Sequence, residues 1–413
     1  MKLRKNPLLL FCFLITGLAS CHKSGVAPTG ENLVLTPVEL QEVKADNEFT
    51  LRLFKNLDSA NTSGVNLFAS PLSVSFALGM TSNGAASQTL TAMMNTLNFN
   101  GFSQAQVNSY YNNLVTNLPK LDPNTTLDIE NSLWYSNTFA VLPAFLKTTS
   151  ASYNAYVQAL DFSSSSSVNT INNWVNTQTK GNIPTIINQI PSTAMMYLVN
   201  AIYFKSSWQE SFDPANTKPQ AFYLADNSQV QANFMSNTSL DFKRYDNSEA
   251  SIFELPYSNS KYSMVIVMPA GGTTLQQLIP GIDSAKWQTW MTSLNFTNGP
   301  LKMPKFTFSY SISLNSALTD LGMGNAFSDN ANFTGINATV PLLITDVEHK
   351  AFVDVDESGT TAAAVTSVEV GTGAAAPAPP TVIDHPFLFV IREMNSGLIV
   401  FAGTVNNPLL TGS

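Results

Sequence analysis

Three histidines, His22, His349 and His385, and two cysteines, Cys12 and Cys21, are the only ones in this 413-residue chain. A metal centre needs several His, Cys, Asp or Glu side chains at ligand spacing, and no such cluster is present. A serine hydrolase needs a general base held beside its nucleophile. His22 lies in a polar N-terminal stretch, and His385 opens an apolar strand. Gly271-Gly272 is an isolated turn signal, not part of a phosphate-cradling loop. The chain therefore reads as no enzyme, with no metal and no cofactor. The most informative stretch of the chain is instead the segment Glu357–Thr372 (ESGTTAAAVTSVEVGT).

That segment carries the pattern of a strand and the composition of a loop. Every second residue from Thr360 (Ala362, Ala364, Thr366, Val368, Val370, Thr372) is small or β-branched, as the inward face of a sheet requires. The alternate set, Thr361, Ala363, Val365, Ser367, Glu369 and Gly371, holds the one charge. Gly359 and the alanine run weaken permanent pairing, and Pro377, Pro379 and Pro380 stop it. The pattern predicts two states: out in solvent, or inserted into a sheet.

Other elements must provide that sheet. Phe49, Leu51, Leu53, Phe54 and Leu57 mark an amphipathic helix with Asp46 as its expected N-cap. Ser70-Pro71 opens a second helix, proline being tolerated in a first turn. Helical spacing recurs over Ser87–Leu97, Ser103–Leu118 and Val168–Thr179. Strands are predicted at Thr126–Tyr135, Met195–Phe204, Ser251–Leu255 and Tyr262–Met268, then at Lys302–Phe308, Leu343–Asp354, Pro386–Arg392 and Gly397–Gly403. Helices first and strands later give an α+β organisation. Tyr197–Phe204 is apolar on both faces except at Asn200, the mark of a strand inside a covered sheet.

Charged residues make up 12% of the chain, about half the usual share. The net charge of −8 gives no basic surface for nucleic acid. Lys2, Arg4 and Lys5 precede an apolar run from Leu8 to Leu18, the form of a secretory leader. Leu18-Ala19-Ser20-Cys21 resembles the bacterial lipoprotein box, which implies a leader of residues 1–20 and a lipidated Cys21. The alternative is an ordinary leader with an incidental cysteine. Cys12 is lost with the leader, so no internal disulfide forms. Residues 21–43 read as a polar tether, and the protein is expected to be exported and anchored in the cell envelope. No linker divides the remainder, so one domain over 44–409 is expected.

ESGTTAAAVT resembles the hinge of the serpin reactive-centre loop, and Asp384–Glu393 (DHPFLFVIRE) is similar to that family's signature segment. Phe68–Met80, Leu198–Trp208, Asn315–Ile336 and Val347–Ala351 resemble further family blocks in the same order. The resemblance implies a single serpin domain with three β-sheets, eight or nine helices and an exposed loop over 357–380. It implies a hinge at Glu357, Gly359, Thr360, Ala362, Ala363 and Ala364. A shutter falls on Ser70, Ser73, Asn200 and His349, and a breach on Trp208, Lys305 and Glu357. Ser358, Thr361 and Val365 depart mildly from the family pattern.

The family's mechanism follows as an expectation: a monomeric suicide inhibitor whose loop is attacked by a serine protease, inserts as a strand and traps the covalent acyl-enzyme. Counting forward from Glu357 by the family's spacing puts the scissile bond at Gly373–Ala374. Counting back from Pro386 puts it at Ala375–Ala376. Each candidate between Thr372 and Ala376 is small and uncharged, which suits the shallow pocket of an elastase-like protease. Cysteine proteases are the second target class, and a non-inhibitory binding or carrier serpin is the alternative function.

Overall fold

The computed structural model describes residues 30–192, 194–360 and 379–412. Six of the nine α-helices among them lie within the chain up to Gln178, and strands dominate thereafter, the α+β order expected. Ser70 caps the helix Pro71–Ser82 by accepting the Ser73 N–H, with Pro71 in its first turn. This helix is buried along its whole length. Gln104–Asn117 starts with a capping box between Ser103 and Gln106.

A six-stranded sheet runs in the spatial order Phe306–Ser313, Glu348–Asp356, Gly359–Thr360, Met196–Ser207, Thr126–Ser136 and Tyr156–Leu160. Its strands are antiparallel except for the parallel pair at the Tyr156–Leu160 edge. Both faces are covered, as the apolar run around Tyr197–Phe204 requires. Trp134, Val199 and Ala201 pack with Ile171 and Val175 of the helix Ser166–Gln178. Leu127, Ile129, Ile202 and Phe204 face the other way, into the main core.

The remaining nine strands form one hydrogen-bonded set. Two of the three expected sheets are joined there by the 18-residue strand Gln229–Asp246. Its first half pairs with Lys218–Tyr223, its second half with Ala250–Pro256, and Asn295–Pro304 lies along both.

Local differences from expectation have local causes. Asp46 is no cap: the first helix is Glu39–Ala60, and Asp46 is buried inside it. Its carboxylate accepts hydrogen bonds from the hydroxyls of Ser75, Tyr110 and Tyr111. The helix thus begins within the stretch expected as a tether, and Leu33 and Val43 are buried. The strand expected from Leu343 starts only at Glu348, because the Asn315 side chain binds Thr345 O and Val347 N instead. The strand expected over Lys302–Phe308 is broken at Lys305 into Asn295–Pro304 and Phe306–Ser313, which belong to different sheets.

Candidate functional site

At one end of the six-stranded sheet, two residues make a strand of their own. Gly359 and Thr360 pair with Asp356 and Val355 on one side and with Ser207 and Ser206 on the other. Among the described residues, Glu348–Asp356 and Met196–Ser207 each pair with this short strand and form no strand pairing with each other. Only glycine fits at 359, where φ is +154° and a Cβ would fall 2.1 Å from the Ser206 carbonyl oxygen. Thr360 is 2% exposed, and its hydroxyl lies 2.6 Å from that of Tyr257.

Trp208 closes the corner. Its indole Nε1 donates to Asp356 O at 2.9 Å, and its backbone N–H donates to Ser358 O at 2.8 Å. Its ring stacks on Tyr257 with centroids 4.6 Å apart. Glu357 turns away from the sheet to meet Lys305 at 2.7 Å and the Thr217 hydroxyl at 2.5 Å. Burial raises the Glu357 carboxyl, but the hydrogen bonds from Lys305 and Thr217 outweigh it and hold the group below its ordinary range. Asp356 accepts the N–H groups of Ser358 and Gly359 at 2.8 and 3.2 Å, which fixes the turn.

Deeper under the same sheet, Ser70, Ser73 and His349 are brought together. The Ser70 N–H donates to His349 Nε2 at 3.2 Å, and the Ser70 hydroxyl donates to Val400 O at 2.8 Å. Burial lowers the His349 pKa to about 4, so the ring is neutral, and with Nε2 accepting, Nδ1 carries the proton. Ser73, Leu198, Glu348 and His349 help line a cavity of about 20 Å³ there, between the sheet and the helix Pro71–Ser82. The backbone of Asn200 is in register with Asn131, while its side chain lies outside the described residues.

Ala362, Ala363, Ala364 and both candidate bonds, Gly373–Ala374 and Ala375–Ala376, lie outside the described residues. Cys21 does too. The chain re-enters the described part at Pro379, and Thr381–Val382 pairs in parallel with Leu301–Lys302. Arg244 donates to the Thr381 hydroxyl at 3.0 Å. His385 is exposed, stacked on Tyr223, and touches Asp384 at 2.6 Å. No group of His, Cys, Asp and Glu able to hold a metal occurs among the described residues. Tyr257, Thr217 and Arg244 were not anticipated; each acts across more than a hundred residues, and nothing in its local spacing marks it.

The family profile described as Serpin (serine protease inhibitor) matches residues 44–408. This chain belongs to the serpin family. Among curated serpins, it is 33% identical over 375 residues to the leukocyte elastase inhibitor of Sus scrofa, covering 88% of this chain and 98% of that one. It is 32% identical over 375 residues to Iripin-2 of Ixodes ricinus, covering 89% and 94%. Among solved structures, human thyroxine-binding globulin complexed with thyroxine aligns with a TM-score of 0.82 at 28% identity, over 90% of this chain and 99% of that one. The thermophilic serpin Tengpin in its native state aligns with a TM-score of 0.81 at 30% identity, over 92% and 97%. The chain has the serpin fold, and as a serpin it is a protein of the protease-inhibitor class and not an enzyme.

Proposed function

We propose that this serpin is a suicide inhibitor of elastase-like serine endopeptidases. The observation that carries the reading is the two-residue strand Gly359–Thr360, seated between strands that have no other pairing with each other among the described residues. A chain continuing from Thr360 in the same direction meets a ready-made row of backbone donors and acceptors on both sides. Ala362 and Ala364 continue the inward set, and neither buries bulk or charge.

In this reading the protease serine Oγ attacks the carbonyl carbon of Gly373 or Ala375. The peptide bond to Ala374 or Ala376 breaks, and the freed amine takes a proton from the protease's general acid. The ester left on the loop is carried away as the hinge residues Gly359, Thr360, Ala362, Ala363 and Ala364 enter the sheet. Trp208, Lys305 and Glu357 act as the breach that holds the entry point. Ser70, Ser73, Asn200 and His349 act as the shutter through which the strand passes. The similarity to leukocyte elastase inhibitors and the small residues between Thr372 and Ala376 support an elastase-like target. We further propose that the protein acts as a monomer, exported and held in the cell envelope by lipid on Cys21.

Incubation of residues 22–413 with an elastase, followed by a denaturing gel and mass spectrometry, tests the function. The expected result is a covalent complex at the summed mass and a cut between Thr372 and Pro377. Cleavage with no complex across a panel of serine and cysteine proteases would instead put a non-inhibitory binding or carrier role first.

A further inference from the structure

The chain enters its fold beside the place where the loop leaves it. Gly30 sits so tightly that a Cβ would fall 1.6 Å from the Leu121 carbonyl oxygen and 3.1 Å from Asn259 Nδ2. Asn259 follows Ser258, whose N–H donates to Ser207 O at 2.8 Å, and Ser207 is the register partner of Gly359. One side-chain contact, one chain step and two hydrogen-bonded neighbours thus place Gly30 on the order of 20 Å from Gly359.

The entry point is fastened there. Lys261 Nζ donates to Asn32 Oδ1 at 2.8 Å, Asn395 Nδ2 to Leu33 O at 3.3 Å, and Asn113 Nδ2 to Val34 O at 3.0 Å. Leu33 is buried at 3% exposure. The other end of the loop is close as well: Val382 pairs with Lys302, three residues before the Lys305 that binds Glu357.

Nine chain steps separate Cys21 from Gly30. Fully extended, they span at most about 32 Å, whereas a body of this size is about 55 Å across. A membrane attached at Cys21 therefore cannot lie against the far end of the molecule. Resting on the reading of Cys21 as the lipid-bearing residue, we propose that the anchored serpin turns its loop-bearing end toward its own membrane. It thereby selects proteases held at that surface over bulky ones arriving from solution. A free serine protease domain, about 45 Å across, has to enter the narrow space between bilayer and loop in one orientation. A protease already at the surface is concentrated there.

The chain 21–413 has one cysteine, Cys21, so it can be coupled at that residue to maleimide-lipid in phosphatidylcholine vesicles. The rate of complex formation with free elastase is compared between the coupled protein and the same protein capped and in solution. Coupling is expected to slow the free enzyme by about fivefold or more, through orientational restriction. A spacer of about 20 Gly/Ser residues before Gly30, about 25 Å root-mean-square, should restore the rate. Elastase tethered to the same vesicles should react with the coupled protein without that loss. Equal rates for free elastase with coupled and soluble protein would overturn the proposal. If the soluble protein forms no complex, the inhibitor reading fails by itself. The rate of cleavage between Thr372 and Pro377 then carries the same comparison, with the same two outcomes.

Discussion

The hydroxyls of Tyr257 and Thr360 lie 2.6 Å apart, with Tyr257 fully buried and Thr360 2% exposed. Thr360 is therefore inside the sheet while the residues beyond it belong to the loop segment. Trp208 stacked on Tyr257 covers the pair from above.

Replacing Thr360 with arginine should convert the protein from inhibitor to substrate. The guanidinium would have to enter a site lined by Tyr257 and two strands, where an unpaired charge costs several kcal/mol. Cleavage of the loop should continue while the fraction trapped as covalent complex falls steeply on a denaturing gel. Tyr257→Phe, which removes only one partner of a buried hydrogen bond, should cost about 1 kcal/mol of stability. An undiminished yield of complex for Thr360→Arg would mean that trapping does not depend on Thr360 keeping its place in the sheet.

Much of this geometry was legible in the sequence, and the reasons differ by residue. The fold and the placing of Glu357, Lys305 and Trp208 came from family-like blocks, and the six-stranded sheet brings these three residues to one corner. Ser70-Pro71 was readable as a helix start from local chemistry alone. Asp46 was misread for the same reason: aspartate near an apolar helical run signals a cap, and its three hydroxyl partners lie 29 to 65 residues away. Tyr257 and Thr217 are partners chosen by the tertiary fold, which local periodicity does not encode.

Glu357→Lys should weaken the closed corner and promote polymerisation on native gels after mild heating. The substitution sets two ammonium groups against each other at a spot where Lys305 now meets a carboxylate at 2.7 Å. It also removes the acceptor for the Thr217 hydroxyl. The double exchange Glu357→Lys with Lys305→Glu should recover part of the loss, because it restores opposite charges at the same distance. A monomer band unchanged by heating in the single variant would show that this ion pair does not hold the sheet shut.

Cys21→Ser in the full-length chain should leave the folded domain unaltered and move the protein out of the membrane fraction. Cys21 is the one cysteine after residue 20, so metabolic labelling with a palmitate analogue should mark the wild-type chain and not the variant. Persistence of the variant in the membrane fraction would assign anchoring to something other than lipid on Cys21.

Stability should depend on pH through two opposed groups of residues. Glu42 is 1% exposed, and neither carboxylate oxygen has a hydrogen-bond partner among the described residues. Burial, with Glu39 and Asp46 nearby, raises its pKa from 4.5 to about 7. Burial raises Asp46 to about 6, against the hydroxyls of Ser75, Tyr110 and Tyr111, and burial with Asp346 raises Glu348 to about 7. A carboxyl with a raised folded pKa holds its proton more tightly in the folded state, so stability is full below the unfolded value. For Glu42 it falls as pH climbs from about 4.5 to about 7. His349 works the other way: its pKa drops from 6.5 to about 4, so stability is lost as pH falls from about 6.5. Three raised carboxyls outweigh one lowered histidine, so wild-type stability should fall as pH climbs through this range, with the His349 trend offsetting only part of the loss. Glu42→Gln should raise Tm at pH 8, where relief of an unsatisfied buried carboxylate is worth about 1–3 kcal/mol, and gain far less at pH 4.5. His349→Gln keeps an oxygen to accept the Ser70 N–H, so it should flatten the acid limb while leaving Tm at pH 8 nearly unchanged. Thermal melts of the three proteins across pH 4 to 8 separate the trends. A Glu42→Gln gain that stays constant with pH would show that the effect comes from packing and not from ionisation.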